Sequence, residues 1–210
     1  MVELAAAVLL LILSHVLPSA PPVRARLIER FGRATFFAAY GALSLVILIW
    51  VIIAFQRADP GIWLYLPPVW GRSAALGLMP LATFLVAGRL IQRPGPVPSG
   101  VYRITVAPGS LGLLLWTVLH LLNLGSGRHV LLFGGMALIA LVALVKNART
   151  APGERRAVGV VPFLAVLRGH ERLVPRELAP PLLLGLLGYG LLLWLHPRVI
   201  GPALIGPVIG

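Results

Sequence analysis

Six runs of sequence without a charged side chain limit what this 210-residue chain can fold into. They cover residues 4–23, 34–56, 73–88, 104–127, 129–145 and 178–197. A helix that spans a bilayer needs about 20 mostly apolar residues, with about 17 as the usual minimum. Since 59% of the residues are hydrophobic and 11% are charged, we predict an integral membrane protein.

The predicted fold is all-α, a polytopic membrane bundle of about six transmembrane helices. The runs place these helices at residues 2–17, 34–55, 73–91, 108–124, 130–145 and 181–195. Pro18, Pro108 and Pro181 are expected at helix ends, because proline lacks a backbone donor and blocks a helix interior. Residues 1–210 form a single integral membrane domain in this prediction, and residues 146–180 form a basic cytoplasmic loop within it. The Gly134-Gly135 pair is expected to allow close helix packing.

The basic residues are concentrated in three of the predicted loops. Residues 24–33, 89–103 and 146–176 hold fourteen of the 18 Lys and Arg residues. Cytoplasmic loops carry such an excess, which places both termini on the outer (periplasmic) side of a bacterial inner membrane. The net charge of +12 therefore predicts contact with anionic lipid headgroups, at about 1 kcal/mol per basic residue near the surface, and no nucleic-acid partner.

Two outer segments have compositions typical of a membrane interface. Residues 59–70 contain Trp63, Tyr65 and Trp70, and such rings rest at headgroup level. The alternative for this proline-rich loop is a lid that folds back and is shielded by the protein. The glycine-rich tail after Arg198 is expected at the outer interface.

Several kinds of chemistry are excluded by composition. The chain has no cysteine, which removes disulfides, thiolate metal sites and a cysteine nucleophile. All 6 acidic residues lie at the N terminus or between the apolar runs. We therefore expect no carboxylate pair inside the membrane for acid–base catalysis, and no acid there to orient a Ser-His-Asp triad.

Three histidines, His15, His120 and His196, lie in the apolar helices or at their ends. A polar side chain in hydrocarbon is costly without a partner, so each is a functional candidate, and neutral imidazole is the commonest metal ligand. The alternative is an imidazole that only fixes helix packing. Counted inward at about 1.5 Å per residue, the three lie about 3, 15 and 22 Å deep, so His196 is an alternative partner for His120. His129 and His170 lie among arginines and are predicted to be solvated.

Eight short motifs occur in the order found in one family of membrane proteins. The motifs cover nearly the whole chain and are Leu-Ser-His15-Val-Leu-Pro-Ser, Leu-Pro-Pro-Val-Trp70, Leu-Met-Pro80, Tyr-Arg-Ile-Thr105, Leu-Trp-Thr-Val-Leu-His120-Leu-Leu-Asn, Leu-Leu-Phe-Gly-Gly135, Val-Pro-Phe163 and Leu-His196-Pro. In these motifs the chain resembles the NnrU family, which is related to plant and cyanobacterial zeta-carotene isomerase.

The resemblance implies a haem b protein linked to nitric oxide metabolism and denitrification. The axial histidines of the isomerase branch match His15 and His120, which are therefore the predicted cofactor and metal ligands, with His196 as the alternative. Arginines such as Arg103 are available for the haem propionates. No catalytic residue is assigned, and it stays open whether the chain is an enzyme.

The chain departs from the family pattern just after Arg103. The family usually reads Arg-His-Pro where this sequence has Val106-Ala107-Pro108, and a second family histidine is missing near Ser73. Any activity that depends on an imidazole at position 107 is therefore in question.

Three other functions stay open from the sequence. The first is a haem-dependent cis-trans isomerase of a carotenoid or other polyene, with an apolar polyene or lipid as substrate. The second is a non-catalytic membrane or assembly protein. The third is a degenerate methyltransferase-like site, since Gly-x-Tyr-Arg-x-x-Arg-His-Pro recurs in membrane methyltransferases, although the loss of the Arg-His pair argues against it.

Overall fold

The computed structural model describes residues 1–199, which are mostly helical and form no β-strand. The helices are α1 (Val2–Val16), α2 (Pro21–Phe31), α3 (Arg33–Arg57), α4 (Gly71–Ile91), α5 (Pro108–Leu121), α6 (Gly127–Thr150), α7 (Gly153–Val158), α8 (Leu164–Leu167) and α9 (Pro175–Val199). Within the described residues, 5 segments are long and apolar enough to cross a membrane: Val2–Ser19, Arg33–Arg57, Gly71–Ile91, Gly127–Thr150 and Pro175–Arg198. The predicted all-α membrane bundle is confirmed. The expected interfacial tail lies outside the described residues.

The chain divides into two compact units. Unit 1 consists of Met1–Pro67 and Leu124–Ala143, and unit 2 consists of Pro68–Asn123 and the described residues from Leu144 onward. Unit 1 therefore contains α1, α2, α3 and most of α6. Unit 2 contains α4, α5, the end of α6, and α7 to α9.

The core of unit 1 is a seam between α1 and α3. The buried residues repeat every three or four positions on each helix, as a single helix face requires. They are Leu4, Ala7, Val8 and Leu11 of α1 and Ile47, Val51 and Ala54 of α3. On α6, a Cβ atom built on Gly135 would come within 2.5 Å of Val8 Cγ1, whereas one on Gly134 would meet nothing within 4 Å. Close packing at this pair therefore depends on Gly135 alone.

Helix α2 is an element that the hydropathy pattern does not predict. Pro21 and Pro22 begin it, at positions where the missing N–H of proline costs nothing. It ends at Gly32, whose φ of 78° lies in the left-handed region that favours glycine. None of its residues is buried. Most of the segment interpreted as the first basic loop is therefore helical and lies on the surface of the protein.

In unit 2, α4 packs against α5 and α9 through glycines. A Cβ atom on Gly112 of α5 would lie 2.8 Å from the carbonyl oxygen of Ala82. One on Gly185 of α9 would lie 2.7 Å from the Cα atom of Phe84. Small residues that let backbones approach this closely are typical of helix association in membranes.

Helix α5 is shorter than the fourth transmembrane helix that the sequence predicts. Its 14 residues extend for about 21 Å, against about 30 Å of hydrocarbon in a bilayer. It nevertheless runs antiparallel along the length of α4. Gly109 at its start packs against Arg89 at the end of α4, and the Asn123 side chain donates to the Gly71 carbonyl at the start of α4 over 3.1 Å. The count of six crossings stays a prediction.

The loop after α3 pairs with the connector that precedes α6. The Leu64 N–H donates to the Gly125 carbonyl at 2.9 Å, and the Gly127 N–H donates to the Ile62 carbonyl at 3.0 Å. Trp63 and Ser126 form the bridge pair between these bonds. The side chains of residues 62–66 are exposed, which is the arrangement that an interfacial belt requires.

Much of the predicted cytoplasmic loop at 146–180 is helical. Helix α6 continues to Thr150, α7 and α8 follow, and α9 begins at Pro175. Residues 159–163 are fastened to residues 104–106 by three hydrogen bonds. They join Val106 N–H to Gly159 O at 2.8 Å, Phe163 N–H to Ile104 O at 3.0 Å and Thr105 Oγ1–H to Val160 O at 3.0 Å.

Candidate functional site

His15 lies half-buried in the last turn of α1, in unit 1. Its Nδ1 atom is 2.9 Å from the carbonyl oxygen of Leu11, one helical turn earlier, and 3.2 Å from Ser14 Oγ. The imidazole also meets the Tyr40 ring of α3 edge to face, with centroids 5.8 Å apart. These contacts fix the orientation of the ring.

His120 lies half-buried near the end of α5, in unit 2. Its Nδ1 atom is 2.8 Å from the carbonyl oxygen of Trp116, again one turn earlier. The two rings are in contact, with centroids 4.3 Å apart. Trp116 therefore holds this imidazole through both its backbone and its side chain.

The two histidines carry their proton on the same ring nitrogen. A carbonyl oxygen can only accept a hydrogen bond, so in each neutral ring Nδ1 carries the proton and Nε2 carries the lone pair. Histidines that ligate a metal almost always donate their other ring N–H to a carbonyl, a carboxylate or water, which orients the ring and raises its basicity. If haem b binds, either ring could hold its iron through Nε2.

The other three histidines differ in their surroundings. His196 lies near the end of α9 in unit 2, and His170 is exposed as predicted. The prediction that His129 is solvated is wrong. Its Nδ1 is 2.6 Å from Ser126 Oγ, and its ring packs on Phe55 with centroids 5.2 Å apart. Helix α6 begins at Gly127, earlier than predicted, so His129 is part of this helix and belongs to unit 1.

Residues 1–199 contain no metal site built from protein side chains alone. No group of three or more His, Asp or Glu side chains in this part of the chain could hold a metal ion. A haem iron places a smaller demand on the protein, because the porphyrin supplies four ligands and one or two axial side chains suffice.

Arg103 is held by two carboxylates in unit 2. Its Nη1 is 2.8 Å from Glu171 Oε2, and its Nε is 3.3 Å from Glu177 Oε2. The Glu177 carboxylate also accepts the Gly100 N–H at 2.6 Å, and the Gln92 side chain donates to the Glu177 carbonyl at 2.6 Å. Burial lowers the pKa of Arg103, but hydrogen bonds and charge attraction from both glutamates outweigh burial and leave the pKa raised. This network ties the turn at 100–103 to the start of α9.

Arg103 and His120 lie at opposite ends of α5. Arg103 precedes the first residue of the helix, Pro108, whereas His120 follows that residue by about 18 Å along the helix axis. Within unit 2, the predicted propionate partner is therefore placed beside two glutamates, and the predicted iron ligand is placed beside Trp116.

Tyr102 is a buried residue to which the sequence assigns no role. Only 3% of it is exposed, and the Arg155 guanidinium lies 5.5 Å from its ring centroid. Its hydroxyl has no hydrogen-bond partner within residues 1–199. Burial raises the pKa of Tyr102, and the charges of Arg89 and Arg155 offset only part of that effect. The phenol therefore stays neutral.

Comparison with known proteins decides the family. The family model described as NnrU protein matches residues 3–204, nearly the whole chain. The chain belongs to the NnrU family. The resemblance to the NnrU family is thereby confirmed. No curated protein or solved structure shows significant similarity.

The altered NnrU motif is part of an apolar cluster in unit 2. Val106 and Ala107, which stand where the family usually has Arg-His, are 3% and 4% exposed. They pack with Leu144 and Ala151. Chemistry that needs the guanidinium and the imidazole at these two positions is not available to this NnrU protein. Ser73, near the second missing family histidine, lies in the first turn of α4.

Proposed function

We propose that the protein binds haem b through His15 and His120 and that it works in nitric oxide metabolism or denitrification, in a bacterial inner membrane. One observation carries this proposal. Each imidazole has its Nδ1 against the carbonyl four residues earlier, at 2.9 Å for His15 and 2.8 Å for His120. The lone pair on Nε2 is then oriented before any iron is bound.

The roles of the chain's own residues follow from these contacts. His15 and His120 would hold the iron, with His196 as the alternative second ligand. Leu11 and Trp116 fix the tautomer of the two histidines, because their carbonyl groups accept the hydrogen bond from Nδ1. That hydrogen bond makes the Nε2 lone pair a stronger ligand for a metal. Bound haem would supply one-electron transfer, and it would bind a small gaseous ligand where one of the two histidines leaves the iron.

Arg103 is the propionate partner that the family resemblance implies. Its guanidinium already contacts Glu171 at 2.8 Å and Glu177 at 3.3 Å. A propionate would therefore have to share the guanidinium with these carboxylates or displace one of them. Arg103→Gln is expected to change the reduction potential of the haem only if this exchange occurs.

A non-catalytic membrane or assembly protein is the second candidate function. The observation that favours it is the close contact of the His120 and Trp116 rings, with centroids 4.3 Å apart. Such a contact lets an imidazole stabilise a helix without ligating anything. In that case, replacement of either histidine would change stability and leave the biological function intact.

Absorption spectroscopy separates the two candidates. Protein expressed with haem supplied and purified in detergent should show a Soret band. His15→Ala and His120→Ala should each remove or shift that band, because each deletes an axial ligand. His170→Ala is the matched control, since His170 is exposed and should leave the spectrum unchanged.

The same spectra decide between the ligand pairs. A shift in His196→Ala together with an unchanged band in His15→Ala would assign the second ligand to His196. Absence of a Soret band in the unmodified protein, or an unchanged band in both His15→Ala and His120→Ala, would overturn the proposal. Addition of nitric oxide to the reduced protein then tests the metabolic link, and co-expression with a poly-cis carotenoid pathway tests isomerase activity.

A further inference from the structure

Positive charge is concentrated along α2 and at the start of α3. Arg24, Arg26, Arg30 and Arg33 lie close together in the sequence, and Glu29 is the only acidic residue among them. None of the five forms an ion pair with a residue that the structure describes. The local excess of positive charge is therefore not neutralised by residues 1–199.

Two of these arginines converge on one aromatic ring. The Cζ atom of Arg24 in α2 lies 5.2 Å from the centroid of the Phe37 ring, and that of Arg33 in α3 lies 5.7 Å from the same centroid. A ring face attracts a cation but carries no net negative charge. Both guanidinium groups therefore lie within about 11 Å of each other, the sum of the two distances, and their like charges repel. Guanidinium groups are well suited to bind phosphate, because each can donate two parallel hydrogen bonds to its oxygens.

Exposed apolar side chains lie close to the two arginines in the sequence. Phe37 is 40% exposed, Val23 37% and Phe31 52%. Val23, Leu27 and Phe31 are spaced by four residues and so share one face of α2. An amphipathic helix with an exposed apolar face and arginines beside it typically lies in the membrane interface.

The position of the arginines in the chain selects the kind of anion. Arg33 is the first residue of a helix long and apolar enough to cross a membrane, so its guanidinium lies at the end of a span, where lipid headgroups lie. A soluble anion would gain nothing from the exposed Phe31 and Phe37 rings. The acyl chains of a lipid would cover them.

We propose that Arg24 and Arg33 bind the phosphate of an anionic phospholipid while α2 lies in the membrane interface. The acyl chains then lie against Phe37 and the exposed face of α3. This inference stands on charge, exposure and ring geometry within unit 1, and it does not depend on whether haem is bound.

Lipid retention measured by native mass spectrometry tests the proposal. The protein is reconstituted in nanodiscs of phosphatidylcholine with or without phosphatidylglycerol, and the bound lipids are counted after release into detergent. Arg24→Gln and Arg33→Gln should each weaken phosphatidylglycerol binding about fivefold, and the double variant about thirtyfold, from the usual effect of one basic residue at an anionic surface. Arg57→Gln is the matched control, because Arg57 is exposed at the other end of the same helix.

Each outcome supports or overturns the proposal. Unchanged phosphatidylglycerol binding in the double variant, or an equal loss in Arg57→Gln, would overturn it. Displacement of the lipid by inorganic phosphate at matched ionic strength would assign the site to a soluble anion instead. If the double variant is unstable in detergent, the single variants and Arg33→Lys decide, since lysine keeps the charge without the forked donors and should restore binding in part.

Discussion

The contact between α9 and α4 at Gly185 gives the sharpest prediction of stability. A Cβ atom on Gly185 would lie 2.7 Å from the Cα atom of Phe84, 2.8 Å from its backbone nitrogen and 3.1 Å from the carbonyl carbon of Thr83. All three are backbone atoms and cannot rotate away. Ordinary contacts between carbon atoms are about 3.5–4.0 Å, so Gly185→Ala would have to push the two helices apart by about 1 Å.

The expected cost is the difference between two opposing effects. Overpacking of a well-packed contact costs about 1–3 kcal/mol. The better helix propensity of alanine offsets about 0.8 kcal/mol of that cost. We therefore expect Gly185→Ala to lower the free energy of unfolding by up to about 2 kcal/mol.

Gly188→Ala in the same helix is the matched control. A Cβ atom there would meet nothing within 4 Å, so only the gain in helix propensity remains, at most about 1 kcal/mol. Both variants can be unfolded in mixed micelles with a rising fraction of SDS and followed by circular dichroism. Equal stabilities of Gly185→Ala and Gly188→Ala would refute the assignment of this contact to backbone packing.

Side-chain hydrogen bonds in unit 2 and the number of membrane crossings give four further predictions. Glu177→Gln should lower the free energy of unfolding by about 1–2 kcal/mol in the same titration, because it removes the charge that pairs with Arg103; unchanged stability would show that the pair contributes nothing. Tyr102→Phe should be neutral or stabilising by up to about 1 kcal/mol, since its buried hydroxyl has no partner within residues 1–199. Tyr189→Phe should instead cost about 1 kcal/mol, because that hydroxyl donates to the Leu76 carbonyl at 3.0 Å; equal losses would contradict this pair of expectations. Reporter enzymes that are active only on the periplasmic side should be active when fused to either terminus. Termini on opposite sides of the membrane would exclude six crossings.

The membrane helices could be predicted from the sequence because burial in lipid demands long apolar runs. The helix predicted at residues 34–55 occurs as Arg33–Arg57. Helix α2 cannot be found by a search for apolar runs, since a helix at the interface keeps arginines on its surface. Helix α9 begins at Pro175, so Pro180 and Pro181 lie inside the helix. The prediction that Pro181 starts this helix is therefore wrong.

The candidate site was predictable only where it depends on local geometry. The hydrogen bonds of His15 and His120 join positions four residues apart, a spacing that any helix provides. The partners of Arg103 could not be predicted, because they lie 68 and 74 residues away and no pattern sets their register. The environment of His129 was predicted wrongly because its neighbour Arg128 marks a loop by composition, although α6 begins at Gly127.

The backbone pairing between residues 62–64 and 125–127 also restricts how many times the chain between them can cross a bilayer. Two backbones joined by hydrogen bonds of 2.9 and 3.0 Å lie at one depth. The chain between them, which contains α4 and α5, must therefore cross an even number of times or not at all. If α4 crosses the bilayer, as its length and composition allow, we expect α5 to bring the chain back with only 14 residues. A span shorter than the hydrocarbon is accommodated by local thinning, so we expect the bilayer to be thinner beside α5 than around the rest of the protein.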